Sequence, residues 1–220
     1  MDGRRALLAG ATGLVGSRIL RILEADPRVA AIEVLARRPV EGGAKVASRA
    51  VDFAALPQAA PGGPIDDVYV ALGTTMAKAG SRAAFRAVDF EAVVAVAKVG
   101  LARGATRCAF VSSVGADPSS RVFYSRVKGE AEEALRRLGF ASLHLVRPSL
   151  LLGERGERRR GERAGIVVAR LADPVLRGPL ARFRAIRAED VARAMVRAVA
   201  TGVPGVTVHE GEALRALAQA

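Results

Sequence analysis

Apolar residues along the chain switch repeatedly between two spacings. Short unbroken apolar runs, as at residues 6–9, alternate with stretches carrying an apolar residue every three or four positions, as at 14–23. The first spacing suits a strand buried on both faces, the second a helix with one buried face. Taken in order, the runs predict strands over 6–9, 31–36, 45–51, 67–72 and 106–111, a sixth through Leu145 that includes His144, and a last one over 206–208. Helical spacing covers 14–23, with a stop near Asp26-Pro27, and then 81–102, with Phe85, Val88, Val93, Val96 and Val99 among its apolar positions and Gly104 closing it. A further helix runs through Tyr124 and Lys128 to Leu138, with Ser119 or Ser120 as its N-cap and Gly139 as its end. Later helices are expected over 165–172, 188–200 and 212–218. Strands alternating with helices, each connection long enough for a parallel crossover, predict an α/β fold built on a doubly wound parallel sheet. The 220 residues are of single-domain size, and half of them are hydrophobic, enough for a sizeable core.

The first strand-to-helix junction carries three glycines spaced by three, Gly10, Gly13 and Gly16, with Thr12, Leu14 and Val15 between them. Gly10 lets the chain turn, Gly13 lets backbone approach a phosphate, and Gly16 lets the helix pack close to the strand. The N–H groups of the new helix then face a pyrophosphate, so the stretch reads as a dinucleotide-binding turn. The end of the second strand selects the dinucleotide. No acid follows mid-strand Glu33, so nothing there would take a ribose 2′-hydroxyl; Arg37 and Arg38 follow instead and suit a 2′-phosphate. The expected cofactor is NADP, with NAD as the alternative. Asp52 and Phe53, after the third strand, fall where an adenine edge would lie, and Leu72, Gly73 and Thr74 form a loop suited to a ribose or nicotinamide.

Chemistry enters at the fifth strand, which ends in Ser112-Ser113. Tyr124 and Lys128 are four apart and so share one helical face. A phenol is a weak acid-base at neutral pH, and a neighbouring ammonium favours its phenolate. A serine hydroxyl beside it would polarise a substrate oxygen. The set suits proton transfer accompanying hydride transfer at a carbonyl.

The formal charge of +12 invites a nucleic-acid reading, but the basic residues are spread over the whole chain and only Lys45, Lys78, Lys98 and Lys128 are lysines. Two tyrosines and no tryptophan offer few stacking platforms, so no nucleic-acid partner is expected. The dense basic run over 155–163 is diluted by Glu157 and Glu162 and reads as a solvated or partner-facing loop. Cys108 is the single cysteine and is expected to be a buried structural thiol, in keeping with a cytoplasmic protein. No window is apolar enough for a membrane span, and neither His144 nor His209 has metal-ligand spacing, so no metal site is expected.

Together, Gly10-x-x-Gly13-x-x-Gly16, Ser112-Ser113 and Tyr124-x-x-x-Lys128 resemble the short-chain dehydrogenase/reductase superfamily. The atypical, extended-type branch with the Tat-interacting-protein-like oxidoreductases is most similar, through Leu72-Gly-Thr-Thr, Val88-Asp-Phe, the run from Ser112 to Glu130, Val146-Arg-Pro-Ser and the stretch from Ile186 to Met195. The resemblance implies a Rossmann domain over 1–220 that binds NADP(H), with 150–220 as a small addition on the substrate side and Pro148 closing over the nicotinamide. It implies Tyr124 as the acid-base, Lys128 as its partner, and Ser113, or Ser112, as the assisting hydroxyl. The resulting expectation is an oxidoreductase for a small carbonyl or alcohol, with a homodimer through the Tyr124 helix as its possible assembly. The alternatives are a non-catalytic NADP(H)-binding regulator or assembly factor and a nucleotide-sugar epimerase or dehydratase.

Overall fold

Strand β1 (Arg4–Ala9) buries its last four residues and takes a central place, with β2 (Val29–Ala36) on one side and β4 (Asp67–Val70) on the other. The computed structural model describes residues 3–56, 62–152 and 182–220. The basic run over 155–163, the helix expected over 165–172, and Pro174 and Pro179 lie outside them. Outward from β2 comes β3 (Val46–Ala50); outward from β4 come β5 (Arg107–Val111), β6 (Ser142–Arg147) and, at the far edge, the ninth strand in chain order, β9 (Gly205–Glu210). All seven strands are parallel. The short strands β7 (Leu151–Leu152) and β8 (Ile186–Arg187) pair with each other apart from this sheet.

Because strand side chains alternate, Leu8 and Leu7 feed opposite faces of the sheet. One face is covered by α1 (Gly16–Ala25), α6 (Ala188–Thr201) and α7 (Gly211–Gln219), through residues such as Ile19, Val191 and Leu214. The other is covered by α4 (Ala92–Ala102) and α5 (Phe123–Arg137), through Val93, Val96 and Leu135. Burial on both faces explains the unbroken apolar runs, and the predicted doubly wound parallel sheet is the one observed. Cys108 is fully buried in the second layer, and that burial pushes its thiol well above the ordinary range, as suits a structural residue.

Two predicted elements differ. The helix expected over 81–102 divides into α3 (Arg82–Arg86), a π-helical segment Ala87–Glu91 and α4, and is preceded by a short helix α2 (Met76–Ala79). Apolar spacing cannot register one wider turn. Neither Ser119 nor Ser120 caps α5: its N-cap is Val122, with no side-chain cap bond. Asp117 instead accepts from the Ser119 N–H at 2.8 Å and hydroxyl at 2.7 Å, and Ser120 Oγ accepts from the Val122 N–H at 3.2 Å. The nearer acidic acceptor captures the turn before the helix begins.

The two histidines hold β6 to β9. Ser142 Oγ donates to the Val203 carbonyl at 2.7 Å, so it accepts from His144 Nε2–H at 3.0 Å. His144 Nδ1 is then left to accept from His209 Nε2–H at 3.0 Å. A proton added to His144 would set N–H against N–H. Burial, and secondarily His209, lower its pKa from 6.5 to about 4; burial lowers that of His209 too. Above pH 6.5 neither folded nor unfolded His144 carries the proton; as pH falls from 6.5 toward 4 the unfolded chain binds one that the folded chain refuses. Stability is therefore complete above that window and is lost on acidification through it, by roughly 3 kcal/mol for a group this buried. The melting temperature should fall over the window, and the slope should shrink in a His144→Gln variant.

Candidate active site

Parallel strands bring their C-terminal ends to one edge, and the chain leaves β1 and β4 toward opposite faces of the sheet. The crevice between them is where open α/β sheets bind ligands. Here it is a cleft of about 620 Å³, reached by residues that follow β1, β4, β5 and β6.

Its floor is the glycine turn. Gly10 has φ +94°, and a Cβ there would lie 2.4 Å from the Ala71 carbonyl oxygen. A Cβ on Gly16 would lie 2.0 Å from the Gly10 carbonyl oxygen. These two glycines serve the packing of turn, helix and β4, while Thr12, Gly13, Leu14 and Val15 line the cleft itself. Helix α1 starts there with no side-chain cap and no acid in its first turn; backbone carbonyls take the Gly13, Ser17 and Arg18 N–H groups, and its positive dipole end faces the cleft. Arg18 also reaches the cleft, its Nη1 donating to the Leu14 carbonyl at 2.6 Å and its Nε 3.5 Å from Glu189.

The walls hold the chemistry. Leu72, Gly73 and Thr74 follow β4, and Pro148 follows β6. Ser112 and Ser113 follow β5 with different hydroxyl environments: Ser112 is buried and its Oγ has no hydrogen-bond partner among the described residues, whereas Ser113 Oγ donates to the Val114 carbonyl at 3.3 Å. Tyr124, in the first turn of α5, is partly exposed, its ring set 5.6 Å from that of buried Phe85. One turn on, Lys128 is 3% exposed, donates to the Val111 carbonyl at 3.2 Å and lies 5.0 Å from the centre of the Phe110 ring. The structure thus brings Ser112, Ser113, Tyr124 and Lys128 into the same cleft as the glycine turn.

Besides Gly10 and Gly16, four expected cofactor residues are not in the cleft lining. Arg37 and Arg38 are exposed beyond the end of β2. Asp52 accepts from the Ala54 N–H at 3.0 Å and caps a short 3-10 turn, Phe53–Ala55, whose Phe53 packs on the second core layer. All four follow β2 or β3 at the same edge of the sheet as the cleft. Glu33 is committed to Arg103, at 2.7 and 3.0 Å, and to Arg49 at 3.2 Å, so β2 supplies no acid to a ribose.

The cleft also contains Asp89, from the π-helical segment, which the sequence-based site set omits. It is fully buried; Oδ2 accepts from the Thr74 N–H at 2.8 Å, and Oδ1 lies 2.9 Å from Lys128 Nζ, an ion pair outside hydrogen-bond geometry. Its signal was an acid at helical spacing from Phe85 and Val93, on the face that should be apolar.

No family model matches the chain. The FMP52 protein of Coccidioides immitis is 34% identical over 225 residues, covering 96% of this chain and 92% of that protein. Among solved structures, the human epimerase family protein SDR39U1 with NADPH superposes with a TM-score of 0.64 at 20% identity, over 93% of this chain and 73% of that one. MoeE5 with UDP-glucuronic acid and NAD gives 0.70 at 18% identity, over 94% and 75%. The fold is that of the extended short-chain dehydrogenase/reductases. The expectation of a cytoplasmic protein is corrected by the relatives, which are named as mitochondrial proteins. A lone reduced cysteine is equally at home in any reducing compartment and carries no address. Across nearly its whole length, on the fold its glycine turn and strand order require, the chain belongs to the FMP52 family.

Proposed function

We propose that the protein is an NADP(H)-dependent oxidoreductase acting on a small carbonyl or alcohol. The observation that carries the reading is that Tyr124, Lys128 and the strand-end serines share one cleft with an uncapped helix start behind a glycine turn. A nicotinamide dinucleotide fits the residues present: the positive dipole end of α1 suits its pyrophosphate, and Lys128 and the Leu72–Thr74 backbone suit a ribose. Bound there, it would supply or accept the hydride.

The chain's own groups handle the proton and the oxygen. Tyr124 gives a proton to the substrate oxygen in reduction and takes it back in oxidation. Lys128 lines the same cleft one helical turn away. Ser112, whose buried hydroxyl has no partner among the described residues, is the stronger candidate to donate to the substrate oxygen, because Ser113 must first leave the Val114 carbonyl. Leu151, in the cleft lining, would meet the rest of the substrate.

Arg37 and Arg38 support NADP over NAD as flexible, exposed guanidiniums able to close on a 2′-phosphate from outside the cleft. NADPH should raise the melting temperature more than NADH at equal concentration, as linkage requires of the tighter ligand, and an Arg37→Ala/Arg38→Ala variant should lose that difference. No shift with either dinucleotide would reject the proposed function; a preference unchanged in the variant would reject the arginine assignment alone.

A further inference from the structure

We propose that the cleft holds its substrate by an apolar tail, so that the carbonyl or alcohol it works on ends a hydrocarbon chain rather than belonging to a sugar. The inference rests on the oxidoreductase reading above and names the substrate class for it.

Large apolar side chains scattered singly over a surface need no explanation, but grouped ones mark a contact. Among the described residues, those left exposed fall in two groups. Val203, Val206 and Val208 lie at the β9 edge of the sheet. Met76, Val122, Leu150 and Phe183 come from separate parts of the chain that meet around the cleft. Met76 is itself in the lining. Val122 is the N-cap of α5, two residues before Tyr124. Leu150 stands between Ser149 and Leu151, both in the lining. Phe183 is brought to the same place by its neighbour, since Ser149 Oγ donates to the Arg184 carbonyl, and the Ile186 N–H donates to the Leu150 carbonyl at 3.0 Å.

Helix α2 is the clearest part of this rim. Its four residues bury nothing, so core packing does not account for it. Thr75 Oγ caps its start, accepting from the Lys78 N–H at 3.2 Å, and Gly80, at φ +75°, closes its end. A turn fixed at both ends that adds nothing to the core is held for what it presents, and Met76 is the apolar group it presents to the cleft.

The polar lining points the same way. Tyr124 and the strand-end serines suit one substrate oxygen. A sugar brings several hydroxyls, and each one buried without a partner weakens binding. Amide and carboxylate side chains can meet two hydroxyls at once. The described lining has no amide side chain, and its only carboxylate, Asp89, is taken by the Thr74 N–H and Lys128. The chain contains no asparagine at all.

The test uses two homologous series: straight-chain aldehydes from propanal to octanal as substrates with NADPH, and the primary amides of the same lengths as analogues whose carbonyl is not reduced. Each methylene that leaves water for the rim should raise kcat/KM, and amide affinity for the NADPH-loaded protein, about fourfold until the tail outruns the rim. Met76→Ser and Leu150→Ser should each lower the octanal-to-propanal ratio of kcat/KM about fourfold or more, whereas Met76→Leu, which stays apolar, should keep it. Met76 and Leu150 are 38% and 53% exposed, so neither change threatens folding. Aldehydes reduced without regard to length, or a length dependence that both serine variants leave unchanged, would overturn the inference and leave the oxidoreductase standing. Amides that bind more tightly with length while no aldehyde is reduced would overturn the proposed reaction and leave the apolar rim standing. Neither reduction nor length-dependent binding would overturn both.

Discussion

Tyr124→Phe should remove turnover by about 10²–10⁴-fold, the usual worth of a general acid-base, while dinucleotide affinity stays within about twofold. The change deletes one oxygen and keeps the ring that packs 5.6 Å from Phe85, so the first turn of α5 retains its support. Lys128, the glycine turn and the loop after β4 are untouched, and these are the groups proposed to hold the dinucleotide. NADPH consumption with a panel of small aldehydes and ketones reads the first quantity, and the ligand-induced melting shift reads the second. Activity that survives the change would sink the proposed mechanism. Activity and binding lost together would mean that the tyrosine supports the site rather than the proton.

The second large effect is expected at the glycine turn, where two neighbouring substitutions should fail in different ways. A methyl group on Gly16 would stand 2.0 Å from the Gly10 carbonyl oxygen and 2.5 Å from its carbon, both backbone atoms. Gly16→Ala should therefore push α1 away from β1 and cost about 3 kcal/mol or more, the upper range for overpacking. In a chain of this size that is roughly a 6–12 °C fall in melting temperature without any ligand. At Gly13 the nearest atom to an added Cβ is the Gly10 oxygen at 3.1 Å, a contact relieved by a few tenths of an ångström. Gly13→Ala should thus change the unliganded melting temperature little, yet weaken dinucleotide binding, because its methyl would stand in the cleft where a pyrophosphate must approach. Thermal unfolding of both variants with and without NADPH separates the two roles. A Gly13→Ala protein with normal ligand stabilisation would remove phosphate approach as the reason for that glycine.

Much of this was legible because it is local. Strand and helix order follows from spacing within a few residues, and burial of the central strands on both faces erases any alternation that could mislead. Gly10 and Gly16 could be singled out because only glycine permits so tight a strand-to-helix turn. Tyr124 and Lys128 could be put on one face because four residues make about one helical turn. What failed was decided by competition or by distance. The Ser119-Ser120 cap gave way to the Asp117 carboxylate. The π turn carries Asp89, whose partners Thr74 and Lys128 lie outside its own helix.

By itself, then, the sequence determined the layer order, the parallel sheet, the turn at Gly10–Gly16 and the face shared by Tyr124 and Lys128, since each depends on residues within one or two turns of one another. Only the tertiary structure decided that Asp89 meets Lys128, that Ser112 rather than Ser113 has the unengaged hydroxyl, and that His144 and His209 bond across β6 and β9. Those pairings join residues distant in the chain. They are selected by which polar groups the closing sheet leaves buried without water, and a buried charge or hydroxyl takes the partner that packing brings to it.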